Sequence, residues 1–218
     1  MTTDLDPDRT LALAYVKARL RPAVEALWRL DVSLGTVLSS GRDPMISQIR
    51  LAWWRESLEK LDQGHPPAEP VLRALATHVV PYGIGGKELS QLEEGWAVLL
   101  SPEPLGSEDL QAYARARGGL LFRFSARLLG DAVSDMASAG ECWALVDLAR
   151  HSGESEAGAA LEAASERNLP SNWPSRLRPL GMLAVLARRD LDAGQREMER
   201  PGAPARMFRM LRHRLTGR

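Results

Sequence analysis

Four groups of residues in the 218-residue chain have the types and spacing that binding chemistry requires. The first is the run Gln48-Ile49-Arg50-Leu51-Ala52-Trp53-Trp54-Arg55-Glu56-Ser57-Leu58. Wound as a helix, it sets Ile49 and Trp53 on one face and Arg50 and Trp54 on the next. This is either a core helix, with arginines in solvent or paired with Glu56 and Glu59, or an aromatic, cationic wall beside a pocket. In the second case Arg50, Trp54 and Arg55 would meet an anion or an apolar ligand. The second group is the Gly118-Gly119 pair inside an otherwise helical stretch. Each glycine costs about 1 kcal/mol relative to alanine in a helix interior, so a pair implies close approach of another helix or of a ligand.

The third group is Asp147, Arg150, His151 and Glu154, which project near one another on a helix. Asp147 and His151 stand at i and i+4, a geometry compatible with a metal, but one histidine and one carboxylate are a weak ligand set. A solvated or ion-paired face is the alternative. The fourth is an apolar stripe of Met207, Phe208, Leu211 and Leu215 set against Arg206, Arg209, Arg212, Arg214 and Arg218, with no acid after Glu199. Such a basic amphipathic helix packs on the rest of the fold or lies on an anionic membrane or a partner.

Other chemistries are excluded by what the chain lacks. It has no Gly-rich phosphate loop, Gly-x-Ser-x-Gly elbow, His-Glu-x-x-His or zinc-knuckle spacing. Cys142 is the only cysteine, which rules out an internal disulfide and fits a reducing compartment. Lys+Arg and Asp+Glu are equal at 28 each, so no global field points to nucleic acid. No apolar run approaches the roughly 20 residues that span a bilayer. Asp4, Asp6 and Asp8 are the reverse of a signal peptide's basic start. The expectation is a cytoplasmic protein, with peripheral contact to the inner membrane as an option.

The elements that position these groups are helices. Hydrophobic residues make up 44% and charged residues 26%, enough apolar content for one sizeable core. The chain is rich in Ala, Leu, Arg and Glu, and no stretch alternates with period 2, so no strand is expected. Gly41-Arg42-Asp43-Pro44 separates two helices, with Asp43 as N-cap and Pro44 at the first helical position. Gly64–Pro67, Pro81–Gly86 and Ser101–Ser107 close the next three. Tyr113–Leu129 reads as a long helix, followed by helices over about 135–151, 155–167, 175–200 and 204–216. Short loops predict a single all-α domain over residues 1–218, with 1–8 disordered and 203–218 a basic amphipathic helix.

Four of these stretches, in this order and spacing, resemble the squalene/phytoene synthase family of head-to-head prenyltransferases. They are Arg21 to Asp31, Ile49 to Leu58, Tyr113 through Gly118-Gly119 to Leu129-Gly130, and Gly140 to Arg150 with Arg167-Asn168-Leu169-Pro170. The second stretch is most similar to a bacterial subgroup related to a mitochondrial complex I assembly factor. The resemblance covers roughly residues 10–170 and implies a helical bundle of the isoprenoid synthase type. The family's enzymes hold two prenyl diphosphates through magnesium on two aspartate-rich helical motifs. Where the resemblance places the first motif, this chain has Gly35-Thr36-Val37-Leu38-Ser39, without a carboxylate. At the second, Asp147 replaces an asparagine, His151 and Ser155 replace aspartates, and Arg150 and Glu154 remain. Magnesium needs several hard oxygen ligands in near-octahedral geometry, and these are too few.

The resemblance therefore implies a catalytically degenerate relative, with no cofactor. It would bind an isoprenoid or quinone-like lipid, or act with a partner in assembly of a membrane complex. The alternative is an active prenyltransferase in which Arg50, Arg115 and Arg150 hold diphosphate while Asp147 and Glu154 share one magnesium. Candidate ligand-binding residues are Arg50, Trp54, Arg55, Tyr113, Arg115, Gly118, Gly119, Asp147, Arg150 and Glu154.

Overall fold

Asp6 accepts a hydrogen bond from the Arg9 amide at 2.9 Å and Pro7 follows it, so the chain enters a helix almost at once. The computed structural model describes residues 4–41, 43–64, 66–131 and 134–218. Its helices are α1 (Pro7–Ala14), α2 (Arg21–Ser40), α3 (Pro44–Glu59), α4 (Pro70–His78), α5 (Gly86–Val98) and α6 (Ser107–Tyr113). They continue as α7 (Leu120–Leu128), α8 (Ala137–His151), α9 (Glu154–Ser165), α10 (Arg178–Ala193) and α11 (Pro204–Thr216). No strand occurs among the described residues.

Several boundaries fall where turn chemistry put them. Asp43 caps α3 by accepting from the Met45 amide at 2.8 Å, and Pro44 opens it. Arg42 of that predicted break and His65 of the next lie outside the described residues. Two expectations need correction. Disorder over residues 1–8 does not hold for Asp6 to Asp8, because the Asp6 cap starts α1 and Asp8 is buried; residues 1–3 lie outside the described part. The predicted helix over 175–200 is shorter, because Gly194 takes φ +76° and stops α10.

The α6–α7 stretch runs as one helical rod with a π turn, Ala114–Gly119, in the middle. Such widened turns concentrate at functional sites, because the extra residue redirects side chains. Close neighbours hold this one. Gly95 of α5 lets that helix press on the Arg117 backbone, and Gly118 meets Gly140 of α8 backbone to backbone. Close helix packing is thus what Gly118 serves. α2 runs through the centre, its Trp28 indole N–H donating to Ser125 Oγ of α7 at 3.0 Å. Leu27, Leu30 and Leu34 on the same helix are fully buried. α8 packs on the π turn, α9 and α10, while α1 bridges α2, α10 and α11.

α3 resolves its two readings side by side. Trp54, Leu51 and Leu58 point into the core, whereas Met45, Ile46, Ile49 and Trp53 face outward.

Candidate functional site

α2 carries an acid on its apolar side. Asp31 shares the face of Leu27, Leu30 and Leu34 and is 1% exposed. A buried carboxylate must be fully hydrogen-bonded or it costs several kcal/mol, and Asp31 is. Its Oδ1 accepts from Arg117 Nε at 2.9 Å and the Trp96 indole N–H at 3.1 Å. Its Oδ2 accepts from Arg9 at 2.9 Å and from Arg117 Nη2 at 3.2 Å. These four bonds fill the roughly four acceptor sites of a carboxylate.

Arg117 is the centre of the arrangement. The π turn directs its guanidinium inward, where it is 2% exposed. Beyond Asp31, its Nη2 lies 2.7 Å from Asp147 Oδ2 on α8, and its Nη1 donates to the Tyr113 hydroxyl. Trp96 and Trp143 flank it, their ring centroids 4.1 and 4.9 Å from its Cζ. One cation thus joins α2, the π turn and α8 inside an aromatic box.

A cavity of about 610 Å³ opens against this centre. Val32 and Gly35 of α2, Leu99, Val146 and Leu186 give it apolar walls. Its rim is ionic. Arg206 of α11 bonds Asp8 at 2.9 Å and Asp190 at 2.6 Å, and Arg150 bonds Asp190 at 2.6 Å and the Glu199 carbonyl at 2.8 Å. Arg9 also pairs with Asp6 at 3.2 Å. Each arginine lining the cavity therefore has an aspartate partner.

Charge pairing sets the ionisation. Burial alone would raise the carboxyl pKa of Asp31 and of Asp147, but Arg117 and Arg9 beside both outweigh it and hold them below the ordinary 3.8. Burial likewise pushes the Tyr113 hydroxyl above its usual range despite Arg117, so it stays protonated. A carboxylate with a depressed folded pKa contributes stability in full above its unfolded value and loses it as the pH falls through the folded one. Urea midpoints should thus drop only below the ordinary aspartate value of 3.8. Asp31→Asn should flatten that acid limb; an unchanged limb would remove Asp31 from the explanation.

Of the sequence-predicted residues, Tyr113, Asp147 and Arg150 line the cavity. Arg115 and Gly119 do not; they line a separate outer groove with Arg123 and Glu141. Gly118 is buried against α8. Arg50, Trp54 and Arg55 of α3 lie outside both spaces, with Arg55 3.9 Å from Glu93. Glu154 sits on the surface, 2.5 Å from Arg196. Asp147 and His151 do share a helix turn, but Asp147 turns to Arg117. Among the described residues no group of three or more His, Cys, Asp and Glu side chains could hold a metal ion.

Sequence reasoning missed Asp31, Arg117, Arg9, Trp96, Trp143, Asp190 and Arg206. Two of these had a signal. Asp31 interrupts an i, i+3, i+4, i+7 run of leucines, and Arg117 stands one turn after Tyr113 on the inward face.

The fold is an all-helical bundle around an apolar cavity, with Asp31, Arg117 and Asp147 joined at its head. The squalene/phytoene synthase family model matches residues 3–212, and the chain belongs to that family. No curated protein and no solved structure matches it. Family membership raises the question of magnesium. The two carboxylates that meet across the cavity, Asp31 and Asp147, share one guanidinium, and Asp31 has no acceptor site left. The residues present do not fit a magnesium cluster.

Proposed function

We propose that this family member does not condense prenyl diphosphates and instead uses its cavity to hold an isoprenoid-type lipid with an uncharged head, such as a quinone-like ring or an alcohol. The observation that carries this reading is Arg117, whose guanidinium lies between Asp31 and Asp147. In the parent chemistry, metal ions neutralise the departing diphosphate. Here the cation at the head of the cavity is covalently part of the chain and already neutralised by two carboxylates. It cannot leave with a product or be exchanged for a substrate's metal. The rim arginines that could fork a diphosphate, Arg150 and Arg206, are committed to Asp190 and Asp8. An anion entering would have to break those pairs, whereas an apolar chain meets Val32, Leu99, Val146 and Leu186 at no such cost.

Trp96 and Trp143 at the head of the cavity make a titration readable by their emission. Farnesol should change tryptophan fluorescence saturably without magnesium. Farnesyl diphosphate should bind more weakly and release no pyrophosphate with magnesium present. Magnesium-dependent pyrophosphate release at a synthase-like rate would reverse the reading in favour of an altered but working prenyltransferase.

A second reading, action on a protein partner during assembly of a membrane complex, has its own support in α3. Met45, Ile46, Ile49 and Trp53 face outward along one side of that helix, and none of them lines the cavity. A partner captured from membranes by the unaltered chain but not by Ile49→Asp would favour it.

A further inference from the structure

α11 is turned the opposite way from what its pattern suggests. Its inner face is Arg206, Met210 and His213, all buried, with Gly217 closing the last turn. Arg206 is neutralised there by Asp8 and Asp190. The apolar stripe faces out instead. Phe208 is 72% exposed and Leu215 is 79% exposed, with Met207 and the half-buried Leu211 alongside. At about 100° per residue, Phe208 and Leu215 fall within one narrow strip, flanked by Arg209 and Arg212 on one side and Arg214 on the other, with exposed Arg218 just past the helix end. No acid occurs from Arg200 onward to balance them. Tyr15, exposed at the end of α1, stacks with Arg214 at 5.5 Å, and the turn after it adds exposed Lys17 and Arg19.

We infer that this face docks on an anionic phospholipid surface, with Phe208 and Leu215 entering the interface and the arginines meeting the headgroups. The charge is what selects this occupant. A second copy of the same face would bring the two sets of arginines together, whereas anionic lipid matches them. An interfacial helix also needs two contributions, apolar area and basic charge, and α11 has both on its free side. None of the helices is long and apolar enough among the described residues to cross a membrane, so the contact is peripheral. Arg206, which lines the cavity, lies on the opposite side of α11 from Phe208, so docking leaves the clasp with Asp8 and Asp190 undisturbed.

The test is co-sedimentation of the full chain with phosphatidylcholine vesicles, with and without phosphatidylglycerol, and with no prenyl compound added. Binding should require phosphatidylglycerol, weaken with salt, and vanish in the pair Phe208→Asp and Leu215→Asp. Arg209→Glu with Arg212→Glu should weaken partition by roughly fivefold or more for each charge. All four side chains are exposed, so the fold is expected to persist, and far-ultraviolet dichroism checks that it does. Equal binding to neutral vesicles, binding unaffected by Phe208→Asp and Leu215→Asp, or no binding at all would overturn the inference. So would self-association abolished by Phe208→Asp in a chain that ignores vesicles, which would hand the face to a second copy. Because the vesicles carry no prenyl compound, failure here is separable from failure of the farnesol titration.

Discussion

Arg117→Leu is expected to destabilise the fold by about 3–5 kcal/mol, the cost of leaving buried charges without their partner. The loss arises mainly at Asp31. With Arg117 gone, that carboxylate keeps Arg9 and the Trp96 indole but loses two of its four bonds while still 1% exposed. Asp147 loses its 2.7 Å partner at the same stroke. Arg117→Lys should recover only part of the stability, because an ammonium lacks the planar fork that reaches Asp31, Asp147 and Tyr113 together. Removing the charges as a set should be milder than removing one. Asp31→Asn and Asp147→Asn introduced with Arg117→Leu should restore some of the loss, since apolar or neutral replacements of a whole buried ion network can approach neutrality. Urea denaturation followed by dichroism measures all of these. A shift for Arg117→Leu of under about 1 kcal/mol would mean the guanidinium is not the tie between α2 and α8.

The neighbouring glycines should give opposite results. A Cβ on Gly118 collides with the carbonyl oxygen and carbon of Gly140, backbone atoms that cannot turn aside, and with the Ala144 methyl. Gly118→Ala is therefore expected to cost about 2–3 kcal/mol as α8 is forced off the π turn, and Gly118→Val more. A Cβ on Gly119 meets nothing closer than the Glu141 carboxylate at 3.4 Å, the far end of a flexible side chain. Its backbone is already helical, so Gly119→Ala should gain a few tenths to about 1 kcal/mol from propensity alone. Similar thermal midpoints for the two variants would contradict the close α8 crossing.

This glycine pair illustrates what a sequence can carry. That one of two helical glycines marks a close approach follows from local cost, and so do the Asp43–Pro44 start of α3 and the helical character throughout. The family resemblance likewise rests on ordered local stretches and extends to the whole matched region, residues 3–212. The site was far less legible, because its bonds join residues remote in the chain. Asp31 and Arg117 are 86 positions apart, and Arg9 and Asp31 are 22 apart. Sequence reasoning selects Arg50, Arg55 and Arg115 and passes over Arg117, since nothing local says which arginine of a helix points inward. The π turn decides that, and it in turn depends on α5 and α8 pressing on the rod from outside. α11 misleads for a similar reason. Its amphipathic pattern is plain, but Asp8 and Asp190 hold Arg206 inside and so rotate the apolar stripe outward.

The clasp of Asp8, Arg206 and Asp190 also has a consequence for how the molecule comes into being. Asp8 and Arg206 are 198 positions apart, so nearly the whole chain must leave the ribosome before that pair can form. Until then the rim next to α1 lacks α11, and the cavity stands open on that side. On the proposed lipid-binding reading, a bulky apolar molecule is wrapped during synthesis rather than threaded past a finished rim.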